Sequence, residues 1–105
     1  MSKYRDRLQI IANILSIAST RAKKTQIMYQ ANLSYKLLTR YLGEVQASGL
    51  VKCENKECYV LTVKGREFLD RHDHYSKRRR SLEEHINRIN DEKAVLENMC
   101  FNKES

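Results

Sequence analysis

KTQIMYQANLSYKLLTRYLGEVQASGLV, residues 24–51, is the stretch whose reading decides the fold. It holds two short helical patterns, a polar break at Asn32–Ser34, and a glycine that stops the second pattern before an apolar strand start. Thr25 caps or opens the first helix, which runs through Ala31 with Ile27, Met28 and Ala31 facing inward. Asn32 and Ser34 offer nearby backbone groups an alternative to helical bonding. Leu33, between them, is placed to plug the corner between the two helices. Ser34 is a good N-cap for the next helix, 35–47. There Leu38, Tyr41, Leu42 and Val45 form the buried stripe, and Gly49 sits where a left-handed residue closes a helix.

Upstream, YRDRLQIIANILSIAST (4–20) carries Leu8, Ile11, Leu15 and Ala18 at spacings of three and four, with Ile10, Ile14 and Ile17 widening the stripe. This predicts a helix buried on a broad face. The basic group RAKK (21–24) reads as a linker. Downstream of Gly49 the period changes. LVKCENKECYVL (50–61) alternates and is rich in β-formers, which predicts a hairpin with strands 50–54 and 57–61 around Asn55–Lys56. A tight turn would prefer glycine where Lys56 stands, so the tip is expected to be looser. With a two-residue turn Cys53 would face Cys58 across the ladder, either as a pair able to oxidise or as two free thiols. Thr62 then caps a further helix, in which Gly65 is tolerated at a cost of up to ~1 kcal/mol.

From Arg66 to Met99 there is neither proline nor glycine. A helix of ~35 residues would be roughly 50 Å long. Phe68, His72, Tyr75, Arg79, Leu82, Ile86, Ile89, Lys93, Leu96 and Cys100 follow one another in alternating steps of four and three, a heptad seam. A helix so polar elsewhere does not hold alone. The seam therefore predicts pairing with a second copy, with a single solvated helix as the alternative. An antiparallel pair would set Arg79 against the acidic DEKAVLE (91–97) of the other chain and relieve repulsion within KRRR (77–80), so charge favours that orientation. His72 reads as a polar residue of the seam.

The chain of 105 residues is enough for one small domain. Its net charge of +7 is uneven. Residues 1–61 hold ten basic and four acidic residues, and residues 62–105 hold ten and nine. The surplus lies on the expected globular part, where a polyanion would dock. No run approaches the ~18–20 apolar residues of a membrane span, and no apolar segment follows the N-terminal charges as a signal peptide requires. Cys53, Cys58 and Cys100 lack the paired spacing of a zinc site or a disulfide framework, so a reducing cytoplasm is expected. His72 and His74 of HDH (72–74) are two apart on a helix and point away from each other, which argues against a metal site. No phosphate-cradling glycine loop and no nucleophile–base spacing is present, so neither an enzyme nor a cofactor or small-molecule ligand is expected.

Helix, helix, turn, helix, hairpin, helix is the order of a winged helix-turn-helix, mainly α with a small β-hairpin, here followed by a long C-terminal coiled-coil helix. In that architecture the third helix enters the major groove. The stripe of 35–47 leaves Tyr35, Lys36, Thr39, Arg40 and Gly43 outward. Arg40 is suited to a bidentate contact with guanine, and Lys36 to base or phosphate. Gly43 removes a side chain where backbone would pass close. Ser34 and its helix N-terminus suit a phosphate. Lys23, Lys24 and Thr25 add charge and donors at the start of the preceding helix, and Lys52 and Lys56 place charge on the wing. Each is also an ordinary surface residue when taken singly, and the Tyr35 ring is expected to pack on the first helix. Their convergence on one basic face carries the reading.

Residues 24–51 together with YVLTVKGREFL (59–69) resemble the small archaeal winged-helix DNA-binding proteins first described from Sulfolobus as an abundant class of roughly ten kilodaltons. KTQIMYQANLSYKLLTRYL is close to that family's pattern, and LTVKG matches its strand-to-helix junction. The resemblance implies a homodimer joined by an antiparallel coiled coil with a winged helix at each end. It also implies double-stranded DNA as partner, bound by a regulator or by a chromatin-type protein associated with the nucleoid. The longer, more charged C-terminal helix and KRRR depart from the pattern. The expected division is a winged helix-turn-helix domain over 1–64, a dimerising helix over 65–100 and a disordered tail over 101–105. A transcriptional regulator leads the functional readings, with DNA coating or bridging and a protein-interaction winged helix as alternatives.

Overall fold

In the computed structural model, which describes residues 5–101, the first helix starts at a capping aspartate. The Asp6 carboxylate accepts from the Gln9 N–H at 2.8 Å, and α1 runs Arg7–Ala18. The onset is later than the expected residue 4, at the residue able to satisfy an orphan amide. Ala12, Ile14, Leu15 and Ala18 are buried, with Ile10, Ile11 and Ile17 at the margin of the core. Leu8, expected inside, is 43% exposed, because the buried stripe centres on Ile14 rather than on Ile11.

Residues 21–24, read as a linker, hold a strand instead. Ala22–Lys23 form β1, which pairs antiparallel with a later strand through Ala22↔Tyr59 and Lys23↔Cys58. Only that distant partner makes them a strand. The pairing holds Lys23 extended, and α2 (Lys24–Gln30) begins directly after it. Lys23 is thus the N-cap, without a side-chain bond. Thr25, expected as a cap, lies inside the first turn.

The corner matches its reading. Asn32 takes the left-handed conformation at φ 56°, and the buried Leu33 donates its N–H to the Met28 carbonyl at 3.0 Å. The Ser34 hydroxyl accepts from the Leu37 N–H at 3.1 Å and starts α3 (Tyr35–Ala47). Leu38, Tyr41, Leu42 and Val45 are its buried residues, as the spacing predicted. At its end Gly49 has φ 77°, the Gly49 N–H meets the Gln46 carbonyl at 3.0 Å, and the Leu50 N–H meets the Val45 carbonyl at 2.9 Å. This paired arrangement satisfies the last orphan carbonyls.

The hairpin comprises β2 (Val51–Glu54) and β3 (Cys58–Leu61), and the sheet order is β1-β3-β2. Asn55 and Lys56 are both left-handed, at φ 54° and 62°, and the Glu57 N–H closes onto the Glu54 carbonyl at 3.2 Å. The loop therefore spans three residues, which shifts the register from that of a two-residue turn. Cys53 opposes Tyr59, and Cys58 opposes Glu54. Side chains alternate between faces along a strand, so Cys53 and Cys58 lie on opposite faces and both are free thiols.

Thr62 starts α4 (Val63–Phe101) by accepting from the Gly65 N–H at 3.0 Å. It also donates its hydroxyl to the Gly49 and Leu50 carbonyls at 2.6 and 3.0 Å. Gly65 is buried and required rather than tolerated. A Cβ there would stand 2.2 Å from the Leu50 carbonyl oxygen and 2.6 Å from a Leu61 methyl. The chain divides into two compact units between His72 and Asp73. In the first, Ile14, Leu15, Ile27, Leu38 and Val45 are the largest fully buried side chains, and Phe68 and Leu69 of α4 pack against the same core. Burying each such aliphatic residue stabilises by about 1.5–3 kcal/mol. The second unit is helix over its described length. Of the tail expected at 101–105, Phe101 is the last helical residue, and 102–105 lie outside the described residues.

Candidate nucleic-acid interface

The outer face of α3 is set by the stripe that buries its inner face. Lys36, Thr39 and Arg40 are exposed, and the space over Gly43 is open, with no atom within 4 Å of a Cβ built there. The N-terminus of α2 is joined to this face through Tyr35. Lys24 Nζ lies 4.3 Å from the centre of the Tyr35 ring and donates to its hydroxyl at 3.3 Å. That bond, with the ammonium charge and a hydrogen bond to Thr39, holds the Tyr35 phenol below its usual pKa. The ring is 65% exposed and turned to Lys24, not packed on α1 as its sequence position suggested.

The other flank of α3 is tied to α1. Arg7 donates to one oxygen of Glu44 at 2.9 Å, and Arg40 lies 3.7 Å from the other. Hydrogen bonding from Arg7, with the two cationic charges beside it, keeps the Glu44 carboxyl below its usual pKa. Arg40 is thereby loosely oriented along the helix while its side chain stays 67% exposed. A 3.7 Å separation is an ion pair rather than a strong hydrogen bond. Arg5 donates to the carbonyls of Ala31 and Asn32 at 2.8 and 3.2 Å, which caps the end of α2 and fixes the corner before α3. These roles of Arg5, Arg7 and Glu44 carry no local sequence signal, because each contact joins residues 26 or more apart.

Of the other expected site residues, Lys23 and Thr25 are exposed beside Lys24, and Lys52 and Lys56 are exposed on β2 and at the hairpin tip. Ser34 is already engaged as a cap through its oxygen, so toward a phosphate it has only its hydroxyl proton left to offer. Tyr29, 78% exposed on α2, is an aromatic that the sequence reading left out. The inward spacing of Ile27, Met28 and Ala31 was the signal that turns it outward. Beside the hairpin loop, Arg21 donates to Glu54. The Cys58 sulfur and the Glu54 carboxylate hold its guanidinium firmly in the charged form.

On α4, Phe68 and His72 belong to the first unit. His72 stacks on Phe68 with ring centres 5.9 Å apart. In the second unit Tyr75, Arg79, Leu82, Ile86, Ile89, Lys93, Leu96 and Cys100 are all exposed. Among the described residues no group of three His, Cys, Asp or Glu could hold a metal, and no helix is long and apolar enough to cross a membrane.

The sequence model described as winged helix-turn-helix matches residues 4–80. An uncharacterized protein of Methanocaldococcus jannaschii is 35% identical over 71 residues, which are 67% of this chain and 33% of that protein. The chain thus spans about a third of the length of this curated relative. The crystal structure of Sso10a-2, a DNA-binding protein from Sulfolobus solfataricus, is similar with a TM-score of 0.75 at 23% identity, over 83% of this chain and 95% of that one. Lactococcus lactis ZitR is similar with a TM-score of 0.60 at 17% identity, over 94% of this chain and 72% of that one. A cysteine-to-serine mutant of ZitR in complex with DNA gives a TM-score of 0.57 at 16% identity, over 94% and 75%.

Proposed function

Because the chain belongs to the winged helix-turn-helix family, to which most of its length matches, we propose that it acts as a homodimer that binds double-stranded DNA and regulates transcription. α3 enters the major groove and the β2–β3 hairpin serves as the wing. One observation carries the reading: Lys36, Arg40 and the open backbone at Gly43 share the outward face of α3. Arg40 supplies a bidentate donor for guanine, and Lys36 a contact to base or phosphate. Lys23, Lys24, Lys52 and Lys56 supply phosphate contacts that set register. The similarity to Sso10a-2 and to ZitR, one a DNA-binding protein and the other solved with DNA, supports the same reading.

Dimerisation is supported by the apolar residues of α4. Leu82, Ile86, Ile89 and Leu96 are 59%, 46%, 49% and 61% exposed in the single chain, on one seam. Water is a poor environment for such a row, and a second helix covers it. The cytoplasm, on the nucleoid, is the compartment that this partner implies.

Selection of bound sequences from a random duplex pool, followed by anisotropy titration, tests the proposal. A motif is expected, with affinity falling in salt at a log–log slope of about −0.9 per neutralised phosphate. Lys36→Ala with Arg40→Ala should weaken binding to that motif by at least tenfold, in line with ~1–3 kcal/mol for a bidentate pair. Unchanged affinity would remove α3 from the groove. Tight binding with no motif would favour DNA coating instead of regulation.

A further inference from the structure

The run Lys77–Arg80 has no part in the reading above. All four residues are exposed on α4 in the second unit. Four residues complete about one helical turn, so they point in four directions. Arg79 falls on the seam, where it donates to the Tyr75 hydroxyl at 3.4 Å and pairs with Glu83 at 3.4 Å. Lys77 and Arg80, three apart, are neighbours on the side away from the seam. A dimer closed along the seam, in either orientation, leaves that side in water.

Their charge is poorly compensated. From His74 to Leu82 there is no acidic residue. Lys77 pairs with Asp73 at 3.0 Å, but both side chains are about two-thirds exposed (68% and 66%), and such pairs exchange readily for another anion. Arg78 and Arg80 form no ion pair among the described residues. Like charges one turn apart destabilise a helix, and the exposed i,i+4 pairs of Lys77 and Arg79 offset this only in part.

We infer that the Lys77–Arg80 turn is a second phosphate-binding band on the DNA-binding protein, with Lys77 and Arg80 contacting the sugar–phosphate backbone of duplex DNA. The inference rests on the proposed function, and it adds a contact that carries no base information. Each phosphate neutralised releases counterions and steepens the salt dependence by about 0.9.

The test uses the full chain and its selected duplex, titrated at several salt concentrations. Lys77→Gln with Arg80→Gln should make the log–log slope shallower by about 2 and weaken binding at low salt, while the selected motif stays the same. Sedimentation of the variant should match the parent. A variant with parental slope and affinity overturns the inference and leaves the α3 reading standing. Loss of binding that accompanies dissociation of the dimer also overturns it, by assigning these residues to assembly. If the parent itself fails to bind DNA, the proposed function falls, and this band falls with it.

Discussion

Single atoms decide two glycines in opposite directions. At Gly65 a Cβ would collide with the Leu50 carbonyl at 2.2 Å. Gly65→Ala should therefore destabilise by about 1–3 kcal/mol, as forced overpacking does, read by urea denaturation. At Gly43, inside α3, the space is open, and Gly43→Ala should stabilise by about 0.5–1 kcal/mol through helix propensity. If DNA passes close there, the same variant should also bind it more weakly. Glu44 gives a pH signature. Its carboxyl is held below the ordinary value of 4.5, first by the Arg7 hydrogen bond. A depressed folded pKa contributes stability that is present above 4.5 and lost as pH falls through the folded value. Between pH 5.5 and 3 the parent should thus lose more thermal stability than Arg7→Gln, in which that depression is largely removed.

At the scale of elements, the hairpin is the place where sequence and structure part. Helical spacing identified α3 and its four buried residues, and residue type the Ser34 cap and the Gly49 terminus, because each rests on neighbours within one or two turns. The β1 strand was not legible. Ala22 and Lys23 are extended only because Tyr59 and Cys58 lie opposite them. The register of β2 and β3 depended on a loop whose third residue no pattern announces. The outward residues of α3 followed from its inward ones, whereas the Arg5 and Arg7 contacts depend on tertiary placement and could not be read. Lys56 still bears the cost of that loop, since a non-glycine residue at φ 62° is strained. Lys56→Gly should raise stability by roughly 1 kcal/mol, measured by thermal melting. If Lys56 acts in the wing as proposed, the same variant should weaken DNA binding uniformly across sequences through the loss of one phosphate contact.

For the whole molecule the decisive question is assembly. The second unit is helix with its apolar residues exposed, and a solitary helix of this polarity is only marginally stable in water. If the proposed dimer closes on this seam, Ile86→Asp with Ile89→Asp should give a monomer in sedimentation where the parent is a dimer and lower helicity in circular dichroism, while the first unit keeps its fold. Orientation is accessible through Cys100, once Cys53 and Cys58 are replaced by serine. In a parallel pair the two Cys100 thiols meet and cross-link on oxidation. In the antiparallel pair that charge favours they sit at opposite ends of the overlap, and oxidised dimer should be absent from non-reducing gels.

The Leu50 carbonyl, which receives both the amide and the hydroxyl of Thr62 and lies against Gly65, makes a junction with no slack. An added or deleted residue between Gly49 and Val51, or between Leu61 and Gly65, would pull that oxygen out of register with everything it holds. Length changes among kindred sequences should accordingly collect at the Asn55–Glu57 tip and leave the junction untouched. Aligning insertions and deletions across such relatives would show whether they do.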